Sequence, residues 1–129
     1  MRHMGDDSSD AFSRESLLLR GTLDMCVLAL LRTPNHAYGV VQALQDAGFS
    51  QVSYGTVYPL VSRVRRLGLV SQETRPGEGG PARNVLTLTE RGEAALAQWG
   101  SSWRDHHQRV VSLLHASDPL VVADGTKHV

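Results

Sequence analysis

A single cysteine, Cys26, stands in a chain of 129 residues. It excludes an intramolecular disulfide and suits a reducing cytosol. No apolar run approaches the roughly 18 residues that a membrane span needs. Lysine is almost absent as well: of thirteen Lys and Arg, only Lys127 is a lysine. Arginine, with its planar fork, is the better suited of the two to bidentate contacts with phosphates and bases. Formal net charge is zero, which taken alone argues against a nucleic-acid binder. The distribution argues the other way. Residues 1–16 set Asp6, Asp7, Asp10 and Glu15 against Arg2 and Arg14, a net −2. Residues 54–83 set Arg63, Arg65, Arg66, Arg75 and Arg83 against Glu73 and Glu78, a net +3. The opening MRHMGDDSSD is too polar for a signal peptide. It reads either as an expression remnant before Met4 or as a disordered acidic arm.

What is present is helical periodicity, in a length that allows one domain with a modest core. A first helix begins near Ser16 or Thr22 and places Leu19, Leu23, Cys26, Val27, Leu30 and Leu31 on one face. Arg32-Thr33-Pro34-Asn35 ends it, since the residue before a proline avoids the helical region. AYGVVQALQDAG makes a short second helix, capped by Asn35, with Val40, Val41 and Leu44 inward and Gly48 as its stop. Phe49 to Val52 form a connector. The third helix is capped by Ser53, carries the stripe Val57, Leu60, Val61, Val64 and Leu67, and stops at Gly68. Its other face bears Tyr54, Thr56, Tyr58, Ser62 and Arg66, flanked by Arg63 and Arg65. Pro59 interrupts this pattern. A regular helix from Ser53 would lose the bond from residue 59 to the Gly55 carbonyl, so a start at Gly55 or Thr56 is expected, with Pro59 in the first turn.

LVSQETR, PGEGGPA and RNVLTL then read as a β-hairpin with a loop too long for a two-residue turn, and with a mobile tip. Thr89 caps a long last helix, favoured by Glu90 at its positive end. Leu96, Trp99, Trp103, His106, Val110 and Leu113 recur at alternating spacings of three and four, a heptad-like seam widened by Gly100, His107 and Leu114. Either this seam folds back on the first helix or it meets a second copy across a two-fold axis. The tail ASDPLVVADGTKHV is expected to be loose.

Three helices and a hairpin, the third helix basic and aromatic outside, describe a winged helix-turn-helix within a mainly α (α+β) fold. In such a module the third helix enters the DNA major groove and the wing approaches the backbone or adjacent minor groove. Tyr54, Thr56 and Tyr58 could donate to phosphates or base edges. Arg63 and Arg66 follow where the backbone should pass. Taken singly, Tyr58 reads equally as a packing residue and the arginines as a solvated face. Residues 1–15 are expected to form a flexible arm, 16–88 the winged domain, 89–115 a dimerisation helix and 116–129 a flexible tail.

Four segments carry a specific resemblance. GTVYPLVSRVRRLGLV, RGTLDMCVLALL, HAYGVVQAL and LTERGEAAL resemble signatures of the PadR family of bacterial transcriptional regulators, and the likeness covers about residues 17–115. The short C-terminal part suggests the compact members, with one dimerisation helix. The resemblance implies a cytoplasmic, homodimeric and usually repressive regulator that binds double-stranded DNA at a palindromic operator and is released by an effector. The DNA-facing set expected on this basis is His36, Tyr38, Ser53, Tyr54, Thr56, Tyr58, Ser62, Arg63, Arg66, Arg75 and Arg83. In compact relatives planar aromatic molecules lie between the last helices on a tryptophan, a position that Trp103 matches best. Trp99, Trp103 and His106 are therefore either ligand contacts or interface packing. The wing departs from the family: GGPARNVLTLT offers Arg83 alone, with Val85 and Leu86 where aromatics are usual. Fewer cations imply weaker affinity or a shallower dependence on salt. Arg65, in place of a usual acidic residue, returns some positive field.

Enzymatic chemistry finds little support. His36, His106, His107 and His115 lack clustered partners, and His106 and His107 point about 100° apart on a helix, which disfavours chelating one metal. His106 with Trp103 could form a pH-sensitive spot, against the plainer reading of an interface histidine. Cys26 reads as an inert core thiol. PGEGGP has no lysine or helix start after it and does not resemble a phosphate-binding loop. No cofactor is expected. The alternative to a DNA-binding regulator is a winged-helix module that binds another protein, which the zero net charge and thin wing would suit.

Overall fold

The structure, a computed structural model, describes residues 14–77 and 79–117. The expected acidic arm up to residue 13 and the tail from residue 118 lie outside these. Residues 14–20 are helical and lead through a turn at Gly21-Thr22 into α1 (Leu23–Leu30). Of the two starts suggested by the sequence, the one at Thr22 matches α1, while residue 14 is already helical and the beginning of that segment lies outside the described residues. Thr22 does not cap α1. Its hydroxyl turns back and donates to the Leu18 carbonyl at 3.0 Å. Leu23, Val27 and Leu31 are buried at four-residue spacing, and Leu28, absent from the expected face, is fully buried beside them. Cys26 is only half-buried, and Leu30 lies outside the buried set.

α2 (Ala37–Asp46) buries Val40, Val41 and Leu44, as expected. Its cap is not Asn35 but His36, whose Nδ1 accepts the Gly39 N–H at 3.1 Å. Asn35 has other work. Its backbone exchanges two hydrogen bonds with Leu86, at 3.0 and 2.7 Å, forming an isolated bridge to the wing. The other end of α2 closes with the Gly48 N–H on the Gln45 carbonyl and the Phe49 N–H on that of Leu44, both 3.0 Å. This paired closure needs a left-handed residue, and Gly48 supplies it at φ 110°.

α3 (Tyr54–Arg66) runs unbroken through Pro59, which corrects the later start expected at Gly55 or Thr56. The N–H groups of Thr56 and Val57 both bond the Ser53 carbonyl, so the helical ladder opens at Ser53. Pro59 cannot donate to the Gly55 carbonyl. Gly55 is exposed, so water can reach the group that loses this donor. Val57, Val61 and Val64 form the buried stripe. Leu67, expected to extend it, is 51% exposed because the helix has already ended. Gly68, at φ 80°, turns the chain, and Leu69 takes the buried place with its N–H on the Val64 carbonyl at 2.9 Å.

The hairpin pairs β1 (Val70–Gly77) with β2 (Gly80–Leu88) antiparallel, from Val70 opposite Leu88 to Gly77 opposite Gly80. Only residues 78 and 79 lie between the strands, so the long open loop expected from PGEGGPA is corrected to a two-residue connection. Gly79, at φ 68°, permits the tight reversal. The register shifts between Arg75 and Gly77, which accommodates Pro76 in a two-stranded ribbon whose outer edges need no ladder partner.

α4 (Glu90–Ser117) begins where the sequence places it. The Thr89 hydroxyl accepts the Gly92 N–H at 3.0 Å and donates to the Gly68 carbonyl at 2.7 Å. The Thr89 N–H bonds the Leu69 carbonyl, and the Leu88 N–H that of Leu31. Arg32 grips Glu93 through a two-pronged ion pair, with Nε on Oε2 and Nη2 on Oε1 each at 3.0 Å. These contacts fasten the first turn of α4 to the root of the wing and to the end of α1. By its contacts the chain divides into two units, up to residue 96 and from residue 97 on. The first is the expected winged helix-turn-helix with the start of α4; the second holds the remainder of the long C-terminal helix. Among the described residues no helix is long and apolar enough to cross a membrane.

Two measurements check this packing. A Cβ on Gly92 would overlap the Leu69 carbonyl oxygen, whereas one on Gly80 meets nothing within 4 Å. Gly92→Ala should therefore cost about 1–3 kcal/mol in chemical denaturation, and Gly80→Ala should stay within about 0.5 kcal/mol of the parent. Equal effects would contradict the close approach. The hydrogen bond from Arg32 holds the Glu93 carboxyl below its ordinary range. A lowered folded value means the pair stabilises above the ordinary glutamate range and stops doing so as pH falls through that lowered value. Glu93→Gln should thus be slightly less stable than the parent at neutral pH and indistinguishable from it in strong acid.

Candidate nucleic-acid interface

At about 100° per residue, the exposed arc of α3 is too wide to face a single neighbour. Tyr54, Tyr58 and Arg65 share the edge nearest the wing. Thr56 and Arg63 share the opposite edge, and Arg66 lies between. The bridge between Asn35 and Leu86 brings the start of α2 beside β2, so the first edge of α3 looks into a groove floored by Val61 and Leu86. The groove holds about 510 Å³ and is lined by His36, Tyr38, Tyr54, Tyr58, Arg65 and Arg83, with Ala37, Gln72 and Asn84 at its margins.

All three tyrosines of the chain meet here. Tyr54 stacks on Tyr58 with centroids 5.4 Å apart and planes inclined by 24°, and Tyr38 leans against Tyr54 at 6.5 Å. Exposures of 60%, 45% and 52% for Tyr38, Tyr54 and Tyr58 leave faces and edges free for a partner. A core would have covered them. Arg83 crosses from the wing with Nη1 at 3.0 Å from His36 Nε2.

Of the expected DNA-facing set, the groove thus gathers His36, Tyr38, Tyr54, Tyr58 and Arg83. The others lie elsewhere. Ser53 starts α3 without a side-chain cap, its hydroxyl bonded instead to that of Thr56 at 3.3 Å. Ser62 is half-buried and Arg66 exposed. Arg63 approaches Asp24 of α1 at 3.8 Å, so part of its charge is answered within the protein. Arg75 stands opposite Arg83 in the ladder and puts Nε and Nη2 on one oxygen of Glu73, at 3.3 and 3.1 Å. Of the two wing arginines, Arg83 is therefore the one whose charge faces the groove with no carboxylate against it among the described residues. Arg65, Gln72 and Asn84 join the groove without having been expected there. Arg65 is recoverable from the sequence, since Tyr54, Tyr58, Val61 and Arg65 recur at spacings of four, three and four. No local signal marks Gln72 or Asn84, whose places depend on hairpin register.

Residues 97–117 show a second exposed feature. Val110, Val111, Leu113 and Leu114 are 39–73% exposed, and Trp103 is 41% exposed. Trp103 stacks on His107, one turn on, at 4.9 Å and 18°, so the ring against it comes from the residue that widens the expected seam. Here the four-residue step brings the two rings into register, and the three-residue step does not. Trp99 is half-buried and stands outside the exposed apolar set just named. Among the described residues no three His, Cys, Asp or Glu side chains gather as metal ligands. Burial, then the neighbouring Asp24 carboxylate, pushes the Cys26 thiol up.

The profile of the transcriptional regulator PadR-like family matches residues 27–98. A PadR family transcriptional regulator from Eggerthella lenta is 32% identical, with the match covering 87% of this chain and 96% of that one, and superposes with a TM-score of 0.75. A PadR-like regulator from Bacillus cereus is 28% identical over 76% of this chain and 96% of its own, with a TM-score of 0.70. Bacillus subtilis PadR, solved in complex with operator DNA, is 21% identical over 60% of this chain and 45% of its own, with a TM-score of 0.54. No curated protein matches.

The raised thiol has a direct consequence. Alkylation of Cys26 by iodoacetamide near neutral pH should be several-fold slower than that of a small-peptide thiol and should recover in denaturant. Equal rates in the folded protein would show an accessible, activated thiol instead.

Proposed function

This chain belongs to the PadR-like family of transcriptional regulators, and from that premise we propose that it binds a palindromic DNA operator as a homodimer. It is a regulator and not an enzyme. The observation that carries the reading is the groove between α2, α3 and the wing, where three exposed tyrosines in contact adjoin His36, Arg65 and Arg83. Tyrosine hydroxyls and guanidinium groups on one ridge supply donors to phosphates and base edges. Bacillus subtilis PadR, of the same fold, was solved with operator DNA bound. Residues 16–88 act as the DNA-reading module and 89–115 as the dimerisation helix. A two-fold dimer then sets two α3 helices about 34 Å apart, or a multiple of that, on dyad-related half-sites.

The exposed apolar stripe of Trp103, Val110 and Leu113 supports a second copy as the partner of α4, with Trp99 and His106 completing the seam, whereas Leu96, expected in it, is already buried within the single chain. Trp99, Trp103 and His106 then lie where a planar aromatic effector could enter between the two helices and release the operator. The regulator acts as a repressor in the bacterial cytoplasm. A second reading, a winged-helix module for a protein partner, is favoured by the neutralisation of Arg75 by Glu73, which leaves the wing poor in cations.

An electrophoretic shift against the promoter of the protein's own gene, at two salt concentrations, separates these readings. Specific binding that weakens steeply with salt is expected. Tyr58→Ala and Arg65→Ala should each weaken it about tenfold with folding intact, and Arg65→Ala should reduce the salt slope by about 1. Binding no tighter than to unrelated DNA would favour the protein-partner reading. Quenching of tryptophan fluorescence by planar aromatic probes, lost in Trp103→Ala, tests the effector site separately.

A further inference from the structure

The contact between His36 and Arg83 cannot be satisfied as it stands. The His36 backbone N–H is taken by Asn35 Oδ1 at 2.8 Å, and its Nδ1 accepts the Gly39 N–H at 3.1 Å. With the Nδ1 lone pair engaged, the ring proton resides on Nε2. Arg83 Nη1 lies 3.0 Å from that same Nε2, and a guanidinium only donates. Two donors therefore face each other across the gap between α2 and the wing. The backbone bridge between Asn35 and Leu86 holds the two elements in place. Among the described residues no acceptor is hydrogen-bonded to either of these two nitrogens.

We propose that His36 Nε2–H and Arg83 Nη1–H together donate to one phosphate oxygen of the DNA backbone, so that a single phosphate ties the wing to the start of α2. This rests on the DNA-binding reading and specifies its chemistry. An anionic oxygen relieves the meeting of the donors and turns both contacts into charge-assisted hydrogen bonds. It also compensates for a wing with few cations, because Arg83 is paired with a neutral donor on a fixed helix. A free phosphate has the same chemistry, and DNA is favoured because the tyrosine ridge and Arg65 continue the same groove.

The test has three arms. In the free protein, long-range proton–nitrogen NMR of the histidine ring should show Nε2 protonated and Nδ1 bare. A proton on Nδ1 would make Nε2 an acceptor for Arg83, satisfy the pair internally and overturn the proposal even if the protein binds DNA well. In the second arm, His36→Asn keeps an acceptor at the cap while deleting the distal donor, and Arg83→Gln removes the guanidinium. Each should weaken binding to the protein's own promoter about tenfold, and the double variant should be about as weak as either single one, since both lose the same phosphate. A double variant weakened by the product of the two would show separate contacts and overturn the proposal.

In the third arm, neutral methylphosphonates are placed one at a time along the protected DNA. One position per half-site should cost the parent about tenfold and cost either variant little. If inorganic phosphate shifts the His36 and Arg83 resonances but no DNA position behaves in this way, the site takes a free phosphate and the DNA assignment fails. Absence of any specific binding by the parent protein would instead refute the underlying reading.

Discussion

Asn35 and Leu86, far apart in the chain, exchange both of their backbone hydrogen bonds. Leu86 is almost fully buried, so its polar backbone atoms could not be left unpaired without a penalty of about 1–3 kcal/mol each. That one pairing adds a third segment to the edge of a two-stranded ribbon and sets where α2 begins. It makes His36, rather than Asn35, the cap of α2, because the Asn35 side chain is already folded onto the His36 N–H. It also brings Arg83 within reach of His36. The groove, the tyrosine ridge and the mismatch of donors all depend on it.

The same economy governs the other end of the wing. Thr89 closes α4 and holds the turn after α3 with one hydroxyl, donating to Gly68 and accepting from Gly92. Gly68 reverses the chain so that Leu69 replaces Leu67 in the core, and Gly92 has no side chain because the Leu69 carbonyl occupies the space. The start of α4 is thus fastened to the winged module. A displacement of that first turn would be felt at the end of α3, through the hydrogen bonds of Thr89 to Gly68 and Leu69.

Much of this fold is legible in the sequence. Val40, Val41 and Leu44 on α2 and Val57, Val61 and Val64 on α3 follow from spacing alone, because an amphipathic helix has few ways to bury one stripe. The caps are harder. Asn35 and His36 are adjacent and both able to cap, and a strand far along the chain makes the choice. Pro59 misleads in another way: local rules move the start of α3 forward, whereas the ladder opening at Ser53 tolerates one absent donor above an exposed glycine. In the hairpin, glycine and proline signal a turn, but a register shift beside Pro76 hides its true length. The site divides along the same line. His36, Tyr38, Tyr54, Tyr58 and Arg83 can be named from the sequence, and periodicity puts Arg65 on the tyrosine edge, but it does not say whether that edge or the one bearing Arg63 is the site. Only the position of the wing distinguishes the two edges of α3.

The central claim is that this groove, and not another face of the molecule, receives DNA. Titrating the isotopically labelled protein with a duplex from its own promoter and following backbone amide resonances tests it residue by residue. The account predicts that the largest shifts fall on His36 to Gly39, on the first three turns of α3 and on Arg83 to Val85. Shifts concentrated on the exposed stripe of α4, with the tyrosine ridge unchanged, would contradict it.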